Sequence, residues 1–229
     1  MNKTIGIFGD SWSCGVWDTI NNEYRVSHLG INHYLYTDNF HSTNFSSPGS
    51  CNNENLNHLK RYHHDFDIKI FIVTEPFRDF YYNPKLYDSN KTFEQNCKTL
   101  VDSQLKEIET LCGESCIVVG GLHKINTDNK FMYSANWCEL IDSKADWPVY
   151  YADPGQLGQK LKNNEIVVKD LLDTRNDEEY CEKYFKTMAD LPKYFWPDGR
   201  HPNILGHKIL YKEIKTILND TSREGTVAI

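Results

Sequence analysis

The stretch IKIFIVT at residues 68–74 constrains this chain more than any other. Apart from Lys69 it is apolar or β-branched, with no alternation between polar and apolar positions. A strand that shows apolar side chains on both faces needs cover on both faces, as in a parallel sheet between two helical layers. Asp67 and Pro76 bound the run. KTIGIF at 3–8, stopping at Gly9, and CIVVGG at 116–121 read as further buried strands. Residues 43–47 form a candidate strand ended by Ser47-Pro48-Gly49. Helical patterns fall between and after them. Residues 52–64 carry Leu56 and Leu59 among polar neighbours. Residues 92–111 place Phe93, Cys97, Leu100, Val101, Leu105, Ile108 and Leu111 at helical spacing, with Gly113 as the stop. PNILGHKILYKEIKTIL at 202–218 predicts a last helix with Pro202 in its first turn, and a loose polar tail after Asn219. Strands alternating with helices predict an α/β fold with a mostly parallel sheet and helices on both faces. Ligands of such sheets bind beyond the carboxyl ends of the strands. Three clusters fall at such ends: Gly9-Asp10-Ser11, Ser47-Pro48-Gly49 and Thr74-Glu75-Pro76.

The length of 229 residues fits one domain, 1–229. An irregular insertion is expected around 122–175, where Trp137, Trp147, Tyr150 and Tyr151 lie among Pro148 and Pro154. A net charge of −7 without a basic stripe argues against nucleic acid and anionic membranes as partners. No apolar stretch approaches the ~20 residues of a membrane span. The opening MNKTIGIFGD is broken by Asp10 before a secretory core forms. Seven cysteines are an odd number without framework spacing, so free thiols in a reducing compartment are expected. The expected location is the cytoplasm, or release by another route such as assembly into a virus particle. Cys112, Cys116 and His123 make no complete metal set, and there is no glycine-rich phosphate loop, so neither metal nor cofactor is expected.

A serine at a strand end is a weak nucleophile unless a base takes its proton, and the base works best when a third group orients it. Of nine histidines, His63 and His64 beside Asp65 read as a solvated turn, and His207 as a packing residue of the last helix. His201 stands in WPDGRHPNILGH, just before that helix, with Asp198 three residues earlier. A second Asp-x-x-His, Asp38 to His41, precedes a candidate strand with no helix start behind it.

Gly9-Asp10-Ser11 after the first strand, Gly49 in a second loop, and Asp198-x-x-His201-Pro202 before the last helix together resemble the SGNH/GDSL hydrolase family. The resemblance runs the length of the chain in order and spacing. It implies a flavodoxin-like three-layer α/β/α sandwich and hydrolysis of esters, often acyl groups on carbohydrates or lipids, without metal or cofactor. By position, Ser11 would be the nucleophile, His201 the base and then the acid, and Asp198 the orienting carboxylate. The backbone N–H groups of Ser11 and Gly49 would face the oxyanion, with a side-chain donor from a third loop.

That third loop departs from the family. A Gly-x-Asn-Asp block would put a donating Asn near position 75, where this chain reads Val73-Thr74-Glu75-Pro76. An ionised carboxylate accepts hydrogen bonds only. Either Glu75 points elsewhere, with Arg78 tying it back, or it is held protonated, or Thr74, Asn52 or Asn53 supplies the donor. Trp12 is expected as packing or pocket wall, and Trp12, Arg78 and Trp137 as residues near the substrate. The expected activity is hydrolysis of a small acyl ester, with O-acetylated carbohydrate as the first guess. The rival expectation is an SGNH-like module that binds glycans or serves a structural role without turnover.

Overall fold

The structure is a computed structural model and describes residues 3–20, 23–121, 123–126, 128–141 and 201–224. Its centre is a five-stranded sheet of β1 (Thr4–Phe8), β4 (His41–Asn44), β5 (Ile68–Val73), β6 (Cys116–Gly120) and β7 (Tyr133–Asn136). The spatial order is β4-β1-β5-β6-β7, and every pairing is parallel. Counted within this sheet the order is 2-1-3-4-5, the flavodoxin-like arrangement, whose switch point lies between its first and third strands. All six residues of β5 and all five of β6 are buried, as unalternated apolar runs require.

The pleat sorts these runs into two cores. Ile5, Ile7, Ile70, Ile72, Ile117 and Val119 face α2 (Gly30–Thr37) and α7 (Ile204–Glu224), meeting Ile31, Leu35, Leu210 and Ile214. Phe8, Phe71, Val73, Cys116 and Val118 face α3 (Asn52–Tyr62) and α5 (Phe93–Cys112), meeting Leu56, Leu59, Val101, Leu105 and Ile108. The molecule is thus a three-layer α/β/α fold. α5 opens on a reciprocal cap, Thr92 accepting from the Gln95 backbone and the Gln95 side chain accepting from the Thr92 N–H.

Some elements differ from expectation. The second strand of the main sheet is His41–Asn44 rather than 43–47, a short polar edge strand without an apolar run to mark it. α7 begins after Pro202, because the Asn203 side chain accepts from the Leu205 and Gly206 N–H groups and so caps the helix. The same helix runs on to Glu224, past the expected polar tail. Inside the stretch read as an irregular insertion, Tyr133–Asn136 completes the sheet as β7 and α6 (Trp137–Ile141) follows. Residues 142–200 lie outside the described residues, and with them Trp147, Tyr150 and Tyr151. The short α1 (Ser11–Cys14) follows β1 directly, whereas the antiparallel hairpin of β2 (Val16–Ile20) with β3 (Glu23–His28), the helix α2 and α4 (Phe77–Tyr82) had no sequence expectation. Among the described residues no helix is long and apolar enough to cross a membrane.

Candidate active site

The chain leaves β1 at Phe8 and turns at once into α1, so Ser11 stands at the carboxyl edge of the sheet beside the switch point. Asp10 caps that turn: its side chain accepts from the Trp12 N–H at 3.0 Å, and its carbonyl accepts from the Ser13 and Cys14 N–H groups. Among the described residues the Ser11 N–H has no such partner. Ser11 is 8% exposed. Its Oγ lies 3.1 Å from His201 Nε2, the distance at which a hydroxyl donates to an unprotonated ring nitrogen. Asp198 lies outside the described residues.

The second loop is fastened to the first. The Ser47 N–H and the Ser50 hydroxyl both donate to the Gly9 carbonyl, at 3.1 Å each. Gly49 between them has φ +76°, and a Cβ built there would meet nothing within 4 Å. Glycine is needed at this position for its backbone conformation, not for lack of room. The loop leaves Gly49 exposed to solvent, on a turn tied to the residue two before Ser11.

The third loop is tied inward. Glu75 is fully buried, and its Oε1 pairs with Arg78 Nη2 at 2.9 Å. Arg78 Nη1 reaches Asp10 Oδ2 at 3.2 Å and donates to the Ser50 carbonyl. Thr74 Oγ1 lies 2.6 Å from Asp10 Oδ2 and 2.7 Å from Glu75 Oε2. Burial raises the Asp10 carboxyl above the usual range, Arg78 pulling it down and the Glu75 charge adding to the rise. The Asn52 carboxamide clasps the Thr74 backbone, accepting from its N–H and donating to its carbonyl. Asn53 is engaged by Asp79 through its N–H and by Gln104 through its side-chain oxygen. The side chains expected to offer an oxyanion donor here therefore form an internal brace, and Arg78 is its buried cation rather than a substrate contact. Asn52 retains one amide hydrogen beyond the bond it makes to Thr74.

Trp12, expected as packing or pocket wall beside the substrate, and Trp137, expected near substrate, are both core residues. Both are fully buried and pack edge to face at 5.4 Å. The Trp137 indole N–H donates to the Gly206 carbonyl at 2.9 Å and its ring lies 5.0 Å from His207, which seats the start of α7 behind His201. Burial pushes His207 down to about 3 and the thiol of Cys14 up to about 12. The other Asp-x-x-His is structural: Asp38 takes the Tyr211 hydroxyl and the Lys215 ammonium of α7, while His41 is exposed on the edge strand. Among the described residues no group of three potential metal ligands occurs.

Two neighbours of the site were not legible beforehand. Trp17, on the hairpin, donates its indole N–H to the Ser11 carbonyl at 2.7 Å, and its ring lies 5.6 Å from that of His201. His123, beyond β6, is pushed down to about 4 by burial, against the pull of the Glu75 and Asp102 charges. Only the hairpin's fold brings Trp17 back over Ser11, and no local pattern announces it.

No protein-family model and no curated protein matches the chain. Solved structures similar to it include a lipase/acylhydrolase from Enterococcus faecalis, 14% identical with TM-score 0.46, covering 96% of each chain. A psychrotrophic esterase from Pseudoalteromonas sp. is 12% identical with TM-score 0.45, over 95% of this chain and 100% of that one. An acetylxylan esterase from Geobacillus stearothermophilus is 13% identical with TM-score 0.38, over 94% of this chain and 93% of that one. These are likenesses of overall shape, and what the site can do rests on its own geometry.

Proposed function

We propose that the protein is a serine ester hydrolase that works through an acyl-enzyme. The observation that carries this reading is the 3.1 Å approach of Ser11 Oγ to His201 Nε2 at the carboxyl edge of the sheet. His201 takes the hydroxyl proton as Ser11 Oγ attacks the ester carbonyl carbon. The oxyanion forms against the Ser11 and Gly49 N–H groups, neither of which has a protein partner among the described residues. The imidazolium then protonates the leaving alcohol, and a water molecule repeats the sequence on the acyl-enzyme. Asp198, on the family resemblance, orients His201. Small acyl esters, with O-acetylated carbohydrate first among them, are the proposed substrates.

The test is labelling by a fluorophosphonate together with hydrolysis of p-nitrophenyl acetate. Ser11→Ala should abolish labelling, and Ser11→Ala or His201→Ala should each lower the rate by about 10³-fold or more. Background rates in the wild type equal to those of Ser11→Ala overturn the reading. A second reading, a glycan-binding module without turnover, is favoured by the inward bracing of Thr74 and Glu75. It requires saturable glycan binding together with absent labelling.

A further inference from the structure

Lys69 is the one polar residue in the apolar run of β5, and it is nearly buried, 7% exposed. Packing gives no reason for a cation there, since a buried ammonium costs free energy unless something meets it. β5 pairs with β6 so that Lys69 stands beside Cys116, the first residue of that strand. Cys116 is fully buried, and Cys112, the last residue of α5, lies half-buried against the same core. One 3-10 turn, Gly113–Ser115, joins them, with Gly113 at φ +49° folding the chain back. The Ser115 hydroxyl closes the turn: it donates to the Cys112 carbonyl at 2.6 Å and accepts from Lys69 Nζ at 3.1 Å. Two thiols and an ammonium are thus gathered at one turn. All five described cysteines are free, but they are not alike. A hydrogen bond from Cys116 draws the Cys112 thiol below its usual range, against burial and with help from the Lys69 charge. Burial holds Cys116 well above that range, the Cys112 side chain adding to the rise. Cys14 and Cys51 are pushed up to about 12 by burial. A partly accessible sulfur that ionises readily, beside a buried one that does not, is the arrangement of an attacking and a resolving thiol.

We propose that Cys112 and Cys116, with Lys69 beside them, form a dithiol site that a hydroperoxide oxidises to an intramolecular disulfide. Cys112 gives its proton to solvent, and its sulfur attacks one peroxide oxygen. The O–O bond breaks, and the departing oxygen takes up a proton and leaves as an alcohol, or as water when the oxidant is hydrogen peroxide. Cys112 is left as the sulfenic acid. The Cys116 sulfur then attacks the Cys112 sulfur, the S–O bond breaks, and the hydroxyl leaves as water with the Cys116 proton. In sum the two thiols give up two electrons and two protons, and both peroxide oxygens are reduced. The new bond pins the end of α5 to the start of β6. Cys116 opens β6 at the amino edge of the sheet, the edge opposite Ser11, so this site stands apart from the hydrolase reading.

The test treats the reduced protein with hydrogen peroxide at neutral pH, unfolds it in iodoacetamide, and weighs its peptides by mass spectrometry. The expected product is a Cys112–Cys116 disulfide, lighter than the dithiol by two hydrogens, with Cys14, Cys51 and Cys97 alkylated. Cys116→Ser should stop at a Cys112 sulfenic acid that dimedone traps, and Cys112→Ser should leave Cys116 unoxidised. A wild type in which Cys112 and Cys116 are alkylated as fully as Cys14 overturns the proposal, whether or not any variant folds. So does one in which either is bridged to a different cysteine. Lys69→Met should slow the oxidation by about threefold, a loss of thiolate partly offset by the higher nucleophilicity of a more basic sulfur. An unchanged rate overturns the part given to Lys69.

Discussion

On its β5 side the loop that carries Ser11 is held by polar side chains in a dry space, Asp10, Thr74, Glu75 and Arg78 among them. On its hairpin side Trp17 donates its indole N–H to the Ser11 carbonyl and lays its ring near that of His201. The two flanks differ in how they fail. A buried ionic set depends on every member, because each survivor of a deletion is left buried with the wrong complement. An aromatic contact divides into a ring that packs and an N–H that bonds, and the two can be removed separately.

The largest effect on stability should come from breaking the ionic flank. Arg78→Met leaves Asp10 and Glu75 facing each other without their shared guanidinium, at an expected cost of about 3–5 kcal/mol in denaturant unfolding. Next is a buried histidine outside both flanks. His207 is neutral when folded, its ring held from an ordinary 6.5 down to about 3. The unfolded chain binds this proton more readily, so stability falls as pH drops below 6.5 and goes on falling toward 3. Between pH 7 and pH 5 the loss should be on the order of 2 kcal/mol, and His207→Phe should remove that part of the slope. A smaller effect is expected on the aromatic flank. Trp17→Phe keeps a ring but strands the Ser11 carbonyl, and should lower kcat about tenfold while the unfolding midpoint moves little. The smallest belongs to an exposed pair of the same kinds of charge. Lys98→Ala removes the 2.6 Å bond to Asp102 on the surface of α5 and should cost no more than about 0.5 kcal/mol.

How legible each feature was follows the range of the physics behind it. β5 and β6 could be read directly, because a strand covered on both faces writes its burial into every residue. β4 and β7 are HSTN and YSAN, edge strands with little burial to encode, and one was misplaced and the other missed. The pairing of Ser11 with His201 was expected from short motifs at a strand end and a helix start, and the two side chains do meet. That Arg78 ties Glu75 was foreseen as one option among several, since three residues separate them on one turn. The link from Thr74 to Asp10 crosses 64 residues and was not foreseen. Trp12 was expected as packing or pocket wall, and Trp137 was placed near the substrate; both pack in the core. Which way an aromatic faces at the edge of a sheet is decided by what packs behind it, here each other and His207.

Ser11 and His201 meet across 190 residues of sequence. That separation has a kinetic meaning. Contacts between distant residues close large loops, and parallel strands pair only after their crossovers are in place. The turn that carries Ser11 can take shape once β1 and β5 pair, but His201 arrives only with α7, the last described helix. During refolding, reactivity at Ser11 should therefore return after the bulk of the secondary structure. A labelled serine would then mark molecules in which the two ends of the described fold have met.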